Sequence, residues 1–162
     1  MQYYFKEENT LKLKKVCEKW QGTKYRHMGS NSGGMDCTKL LGVVLKELGI
    51  LEQYEENVYY PRDWFLHSEK ELVIETFINH SKYLTYDLCF EKFIIKTGNF
   101  DYKNGDIILF KVCGSQRINH VGIYLDDNLF HADVRSGVCF VQFLRYFRTR
   151  AKYVYRISYK NI

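Results

Sequence analysis

Three side chains in this sequence could share one reaction: Cys37, His120 and His131. Cys37 sits in Gly34-Met35-Asp36-Cys37-Thr38-Lys39-Leu40-Leu41, after the small-residue loop Ser30 to Gly34. The apolar residues Leu40, Leu41, Val43, Val44, Leu45 and Leu48 follow at helical spacing, with Gly49 as a stop. That spacing puts the thiol at a helix N-terminus, where unpaired N–H groups and the positive end of the dipole favour a thiolate. The same N–H groups suit a developing oxyanion. Taken alone, such a cysteine reads first as a small buried cap of a core helix.

A nucleophilic thiol needs a base, and the base needs an orienting group. Of five histidines, His27, His67 and His80 lie in polar, loop-like or helical surroundings. His120 and His131 lie in strand-like runs on either side of the turn signal Asp126-Asp127-Asn128. An even-numbered hairpin loop places both on one face. A four-residue loop, Tyr124 to Asp127, makes them a direct cross-strand pair, with Cβ atoms ~5 Å apart. A two-residue loop offsets them on the same face. Two neighbouring imidazoles suit a base and its orienter, and an imidazolium beside Cys37 would depress the thiol pKa. Two half-buried polar residues on a hairpin would give the same pattern.

The elements that must hold these groups follow from periodicity. Leu11, Leu13, Val16, Cys17 and Trp20 predict a helix over residues 10–20, capped by Asn9 or Thr10. Residues 51–65 read as irregular, broken at Tyr59-Tyr60-Pro61. Ser68 and Glu71 form a capping-box pattern before Leu72, Val73, Phe77 and Ile78. Beyond Phe90 the period becomes that of strands, at 93–95, 106–110, 120–125, 129–133, 138–143 and 153–157. Helices first and strands after predict an α+β domain, with the Cys37 helix packed on an antiparallel sheet.

Composition sets the outer limits. The 162 residues suit one domain, and 46% hydrophobic with 17% aromatic residues fills a real core. A net charge of +5 is scattered, which specifies neither nucleic acid nor membrane as a partner. The five cysteines are odd in number and widely spaced, as expected of reduced thiols in a cytoplasmic setting rather than a disulfide scaffold. The N-terminus shows no signal-peptide core, so cytoplasmic synthesis is expected. His120 and His131 lack a clear third ligand, so neither metal nor cofactor is expected.

Five segments together resemble one family, in its order and over nearly the whole chain. Gly34-Met35-Asp36-Cys37, His120-Val121-Gly122-Ile123-Tyr124 and Phe130-His131-Ala132 are similar to motifs of the NlpC-type papain-like cysteine peptidases. Gly22-Thr23-Lys24-Tyr25 looks like that family's Gly-Thr-Pro-Tyr, and Asn104-Gly105-Asp106-Ile107-Ile108-Leu109-Phe110 its Pro-Gly-Asp-Leu-Val-Phe-Phe strand.

The resemblance implies a papain-like α+β fold, with N-terminal helices on a five- to six-stranded antiparallel sheet. It implies one domain over residues 1–162, with a family-variable insert at about 51–91. The activity implied is a cysteine endopeptidase acting on peptidoglycan stem peptides, typically between γ-D-glutamate and a diamino acid. By matching position Cys37 would be the nucleophile, His120 the base, His131 the orienting residue and Tyr25 a hydroxyl near the oxyanion hole. Asp36 would help hold a free amino group of the substrate. Thr38-Lys39 stands where the family has Ser-Gly, which alters the substrate pocket around Thr38 and spares the cysteine. Tyr59-Tyr60-Pro61-Arg62-Asp63-Trp64 is similar to the insert of phage and gene-transfer-agent cell-wall peptidases. That likeness implies phage tail proteins as partners and a virion- or tail-associated enzyme acting on the wall. Two alternatives use the same fold. One is an effector or tail-assembly protein doing amide or acyl-transfer chemistry at the same Cys-His-His site. The other is a non-catalytic binding role.

Overall fold

β-branched and aromatic residues crowd the C-terminal third, and there the chain builds its sheet. The computed structural model describes residues 1–54, 59–96 and 99–161. In chain order the elements begin with β1 (Gln2–Tyr3), α1 (Glu7–Trp20), β2 (Ser30–Asn31), β3 (Gly34–Met35) and α2 (Cys37–Glu47). Next come α3 (Trp64–His67), α4 (Leu72–Ser81), β4 (Leu88–Ile94), β5 (Ile107–Phe110), β6 (His120–Leu125) and β7 (Asn128–Asp133). The chain ends with β8 (Gly137–Gln142), α5 (Arg145–Arg148) and β9 (Ala151–Tyr159).

The main sheet has seven strands, all paired antiparallel. β4 lies along one edge of β9, and β5 and β1 share the other. From β5 the order continues through β6 and β7 to β8. The strand beyond the expected five or six is β1, whose two residues show no alternation to read. One face of the sheet buries Ile107, Leu109, Val121, Ile123, Phe130 and Ala132 in the same cluster as Leu40, Leu41, Val44 and Leu45 of α2. This is how α2 comes to lie against β6 and β7. Ile108, Phe110, Tyr124, Leu129 and Phe143 form a second cluster.

Local chemistry corrects several boundaries. α1 starts at Glu7, three residues before the expected first turn, with Lys6 as its N-cap. Asn9 and Thr10 do not cap it: their side chains donate back to the carbonyls of Tyr4 (3.0 Å) and Phe5 (2.8 Å). α2 ends as expected. Gly49 takes φ +70°, and the N–H groups of Gly49 and Ile50 close on the carbonyls of Lys46 and Leu45. The expected Ser68 capping box does not form. Ser68 follows the short helix α3, and Glu71 reaches across to accept from the Ile118 N–H at 2.9 Å. Residues 55–58, within the expected insert, lie outside the described residues.

Candidate active site

Two structures converge on Cys37. The first is the strand pair β2–β3, which delivers the chain to the start of α2. Gly34 adopts φ +155°, and a Cβ there would come within 2.3 Å of the Arg26 Cβ. Asp36 is the N-cap of α2, accepting from the Lys39 N–H at 2.9 Å. Its carboxylate also accepts from the Met28 N–H (2.8 Å), the Thr38 hydroxyl (3.0 Å) and the Tyr60 hydroxyl. Only 2% of Asp36 is exposed, so these donors replace the water it loses.

The second is the β6–β7 hairpin. Its turn has two residues, Asp126 and Asp127, at φ +49° and +60°. The pairing Leu125↔Asn128, Tyr124↔Leu129 and Ile123↔Phe130 therefore offsets His120 from His131 on one face. Of the two loop lengths considered, this is the shorter. Imidazoles span the diagonal: His120 Nε2 and His131 Nδ1 are 2.8 Å apart, with the rings nearly perpendicular at 82°. The Asn119 side chain bonds both the N–H (2.9 Å) and the carbonyl (3.2 Å) of Val112, closing the loop that enters β6. His131 is 4% exposed and its Nε2 is buried without a partner. The edge of Phe147 lies against its ring.

Tyr25, Asp36, Cys37, Thr38, His120 and His131 all line one cleft of about 320 Å³. Tyr25 is held beside β3: the Lys24 carbonyl accepts from the Met35 N–H (2.9 Å), and the Arg26 N–H donates to the Met35 carbonyl (3.2 Å). Gly22 and Thr23 are bonded to Val138 of β8 at 2.8 Å in both directions. Burial, then the nearby Cys37 and Asp36, push the Tyr25 phenol up to about 12.

The electrostatics differ from the expected thiolate–imidazolium pair. Burial, followed by the Asp36 charge, pushes the Cys37 thiol up to about 12. The backbone N–H groups of Val121, Thr38 and Cys37 itself act in the opposite direction, as a helix start should, without prevailing. Burial and the adjacent His131 hold His120 down to about 3, and burial also lowers His131. All three shifts favour a neutral thiol beside neutral imidazoles in the resting site. The dipole argument overlooked the cost of charging a desolvated sulfur one residue from a carboxylate.

The sequence pattern of the NlpC/P60 family matches residues 22–154, most of the chain and every residue of the cleft described so far. The chain belongs to the NlpC/P60 family. Its fold is that of solved NlpC/P60 structures. The NlpC/p60 domain of the peptidoglycan hydrolase SagA aligns at 17% identity and TM-score 0.54, over 90% of this chain and 96% of that one. An NlpC/P60 protein from Bacillus cereus aligns at 17% identity and TM-score 0.54, over 90% of this chain and 39% of that one. NlpC1 from Trichomonas vaginalis aligns at 18% identity and TM-score 0.52, over 98% of this chain and 48% of that one. The chain thus spans nearly all of the SagA domain and under half of the other two. No functionally curated protein matches it in sequence.

This NlpC/P60 chain also brings to the cleft residues that sequence reasoning passed over. Tyr60 donates to Asp36, lies 2.9 Å from the Thr38 hydroxyl, and is itself fixed by His27 Nε2 on its carbonyl at 2.8 Å. Arg62, Trp64 and Phe65 follow it along the wall, with Val112, Val134, Tyr146 and Phe147 also lining the cleft. The signal available was Tyr59-Tyr60-Pro61-Arg62-Asp63-Trp64, which reads as an extended break and a family insert but not as part of the cleft. Among the described residues no group of three His, Cys, Asp or Glu is placed to hold a metal, and no helix is long and apolar enough to cross a membrane.

Proposed function

We propose that this chain is a cysteine endopeptidase that hydrolyses peptidoglycan stem peptides at a γ-D-glutamyl–diamino acid bond. The observation that carries this reading is the meeting of the Cys37 sulfur and the His120–His131 pair in one cleft. With Nε2 of His120 committed to His131, Nδ1 is the ring nitrogen left to take the thiol proton. For that, His120 Nε2–H donates to His131 Nδ1, and His131 keeps its own proton on Nε2. Because the resting pair is neutral, proton transfer to His120 accompanies attack of sulfur on the amide carbonyl. His120 then returns the proton to the leaving amine, and water resolves the acyl-enzyme. The Tyr25 hydroxyl, raised to about 12 and so protonated throughout, is a donor for the oxyanion. Asp36 and Thr38, with Tyr60, offer a carboxylate and two hydroxyls to a substrate amino group.

The Tyr59–Trp64 segment supports a phage or prophage tail-associated enzyme that is made in the cytoplasm and acts on the wall. A locus among tail genes is the expected genomic setting, and one among wall-synthesis genes would argue against it. Digestion of purified peptidoglycan, with mass analysis of the products, tests the activity. Fragments ending in γ-D-glutamate are expected. Intact peptidoglycan after incubation with reduced enzyme would overturn the reading.

A further inference from the structure

The cleft carries one positive charge that the mechanism does not use. Arg62 is the one Lys or Arg among the described residues lining it. Its guanidinium is exposed, and no ion pair within the described residues holds it. Its neighbouring backbone is nonetheless fixed on both sides. Tyr60, two residues before, is bonded to Asp36, Thr38 and His27. Trp64, two residues after, is buried, and its N–H donates to the Pro61 carbonyl at 3.2 Å. Pro61 between them has a restricted φ.

Neither carboxylate of the cleft is paired with Arg62. Asp36 takes its four donors, and Asp133 accepts from the N–H groups of Arg135 (2.9 Å) and Ser136 (2.8 Å). Arg62 lines the same cleft as Cys37, Tyr25 and His120. A planar, permanently charged fork placed beside a nucleophile matches a carboxylate.

We infer that Arg62 binds a free carboxylate on the acyl side of the scissile amide, and so selects γ-linked glutamate over its α-amidated form. The inference rests on the γ-D-glutamyl reading above. A glutamate joined through its side chain keeps its α-carboxylate, separated from the scissile carbonyl by two methylenes and the α-carbon. An ordinary peptide has no charge there, and amidation to isoglutamine removes it while preserving shape. The Val112, Val134 and Phe147 side of the cleft supplies no competing cation.

The test compares L-Ala-γ-D-Glu-L-Lys with its α-amide, L-Ala-γ-D-isoGln-L-Lys, using the purified chain. Wild type should favour the acid by roughly tenfold in kcat/KM, mainly through KM, with the preference shrinking at high salt. Arg62→Gln should bring the ratio to about one, and Arg62→Lys should leave it intermediate because an ammonium lacks the fork. If wild type cuts both peptides equally, or Arg62→Gln keeps the wild-type ratio, the inference fails while the γ-glutamyl reading stands. If wild type cuts neither peptide but releases other fragments from peptidoglycan, the γ-glutamyl reading fails and takes the inference with it.

Discussion

The cleft has two walls of different construction. One is the β6–β7 hairpin, where a two-residue turn fixes the register and main-chain ladders hold His120 and His131. The other, residues 22–38 and 59–65, is mostly loop around the short β2–β3 pair and the starts of α2 and α3, held by side chains meeting at Asp36. The sheet wall holds the two imidazoles, whose mutual geometry must be exact to a fraction of an ångström for proton transfer. The loop wall holds Tyr25, Tyr60 and Arg62, to which the proposed function gives recognition and oxyanion contact. Sheet registers are hard to change by substitution, whereas loops accept new residues readily. Chemistry on the strands and selectivity on the loops is the division the proposed function draws.

The largest effect belongs to the residue the walls share. Cys37→Ala should lower turnover by at least ~10⁴-fold with the fold intact, because it removes the thiol at the start of α2 on which the acyl-enzyme would form. Wild-type release of wall fragments by this variant would sink the mechanism. The two histidines should then separate. His120→Gln cannot accept the thiol proton and should cost ~10³-fold or more. His131→Asn can still accept from His120 Nε2 and should retain part of the rate. The double variant should be little worse than His120→Gln alone, as expected of residues acting as one unit. Equal damage from both single changes would contradict the assigned roles.

The sequence reveals the two walls unequally. The hairpin was readable because strand residues alternate and Asp126-Asp127-Asn128 marks a turn, so a shared face for His120 and His131 followed from parity alone. Cys37 at a helix start followed from the apolar period after it and Gly49 at its end. Tyr60 and Arg62 could not be placed this way. No period links them to Cys37, and Tyr60 and Asp36 are 24 residues apart in the sequence. The protonation state was misjudged for a related reason. Local sequence shows the helix dipole but not how far the sulfur and the imidazoles are withdrawn from water.

Tyr25→Phe probes the loop wall at its nearest approach to the reaction. Losing one oxyanion donor typically costs ~10²-fold in kcat. KM should move little, because the hydroxyl acts on charge that develops only in the transition state. A rise in KM at constant kcat would instead make Tyr25 a substrate-packing residue.

The smallest effects concern stability, and by pH they distinguish His120 on the sheet wall from Cys37 between the walls. His120 titrates near 6.5 in an unfolded chain and is held down to about 3 in the fold. The fold therefore prefers the neutral ring. That contribution is present in full above about pH 6.5 and is lost as pH falls towards 3. Cys37 has the opposite sign. Its thiol is raised to about 12, so its contribution is present below the ordinary thiol range and is lost as pH rises towards 12. Melting temperatures of wild type, His120→Gln and Cys37→Ala should thus diverge at opposite ends of the scale. His120→Gln should soften the acid decline below pH 6.5, and Cys37→Ala the alkaline decline above pH 9, each by a few degrees. Alkylation of Cys37 by iodoacetamide provides the parallel kinetic readout. Its rate should keep climbing through pH 10 without a plateau near neutrality. A plateau near pH 6 would mean that the thiolate–imidazolium pair exists at rest and that burial does not control this site.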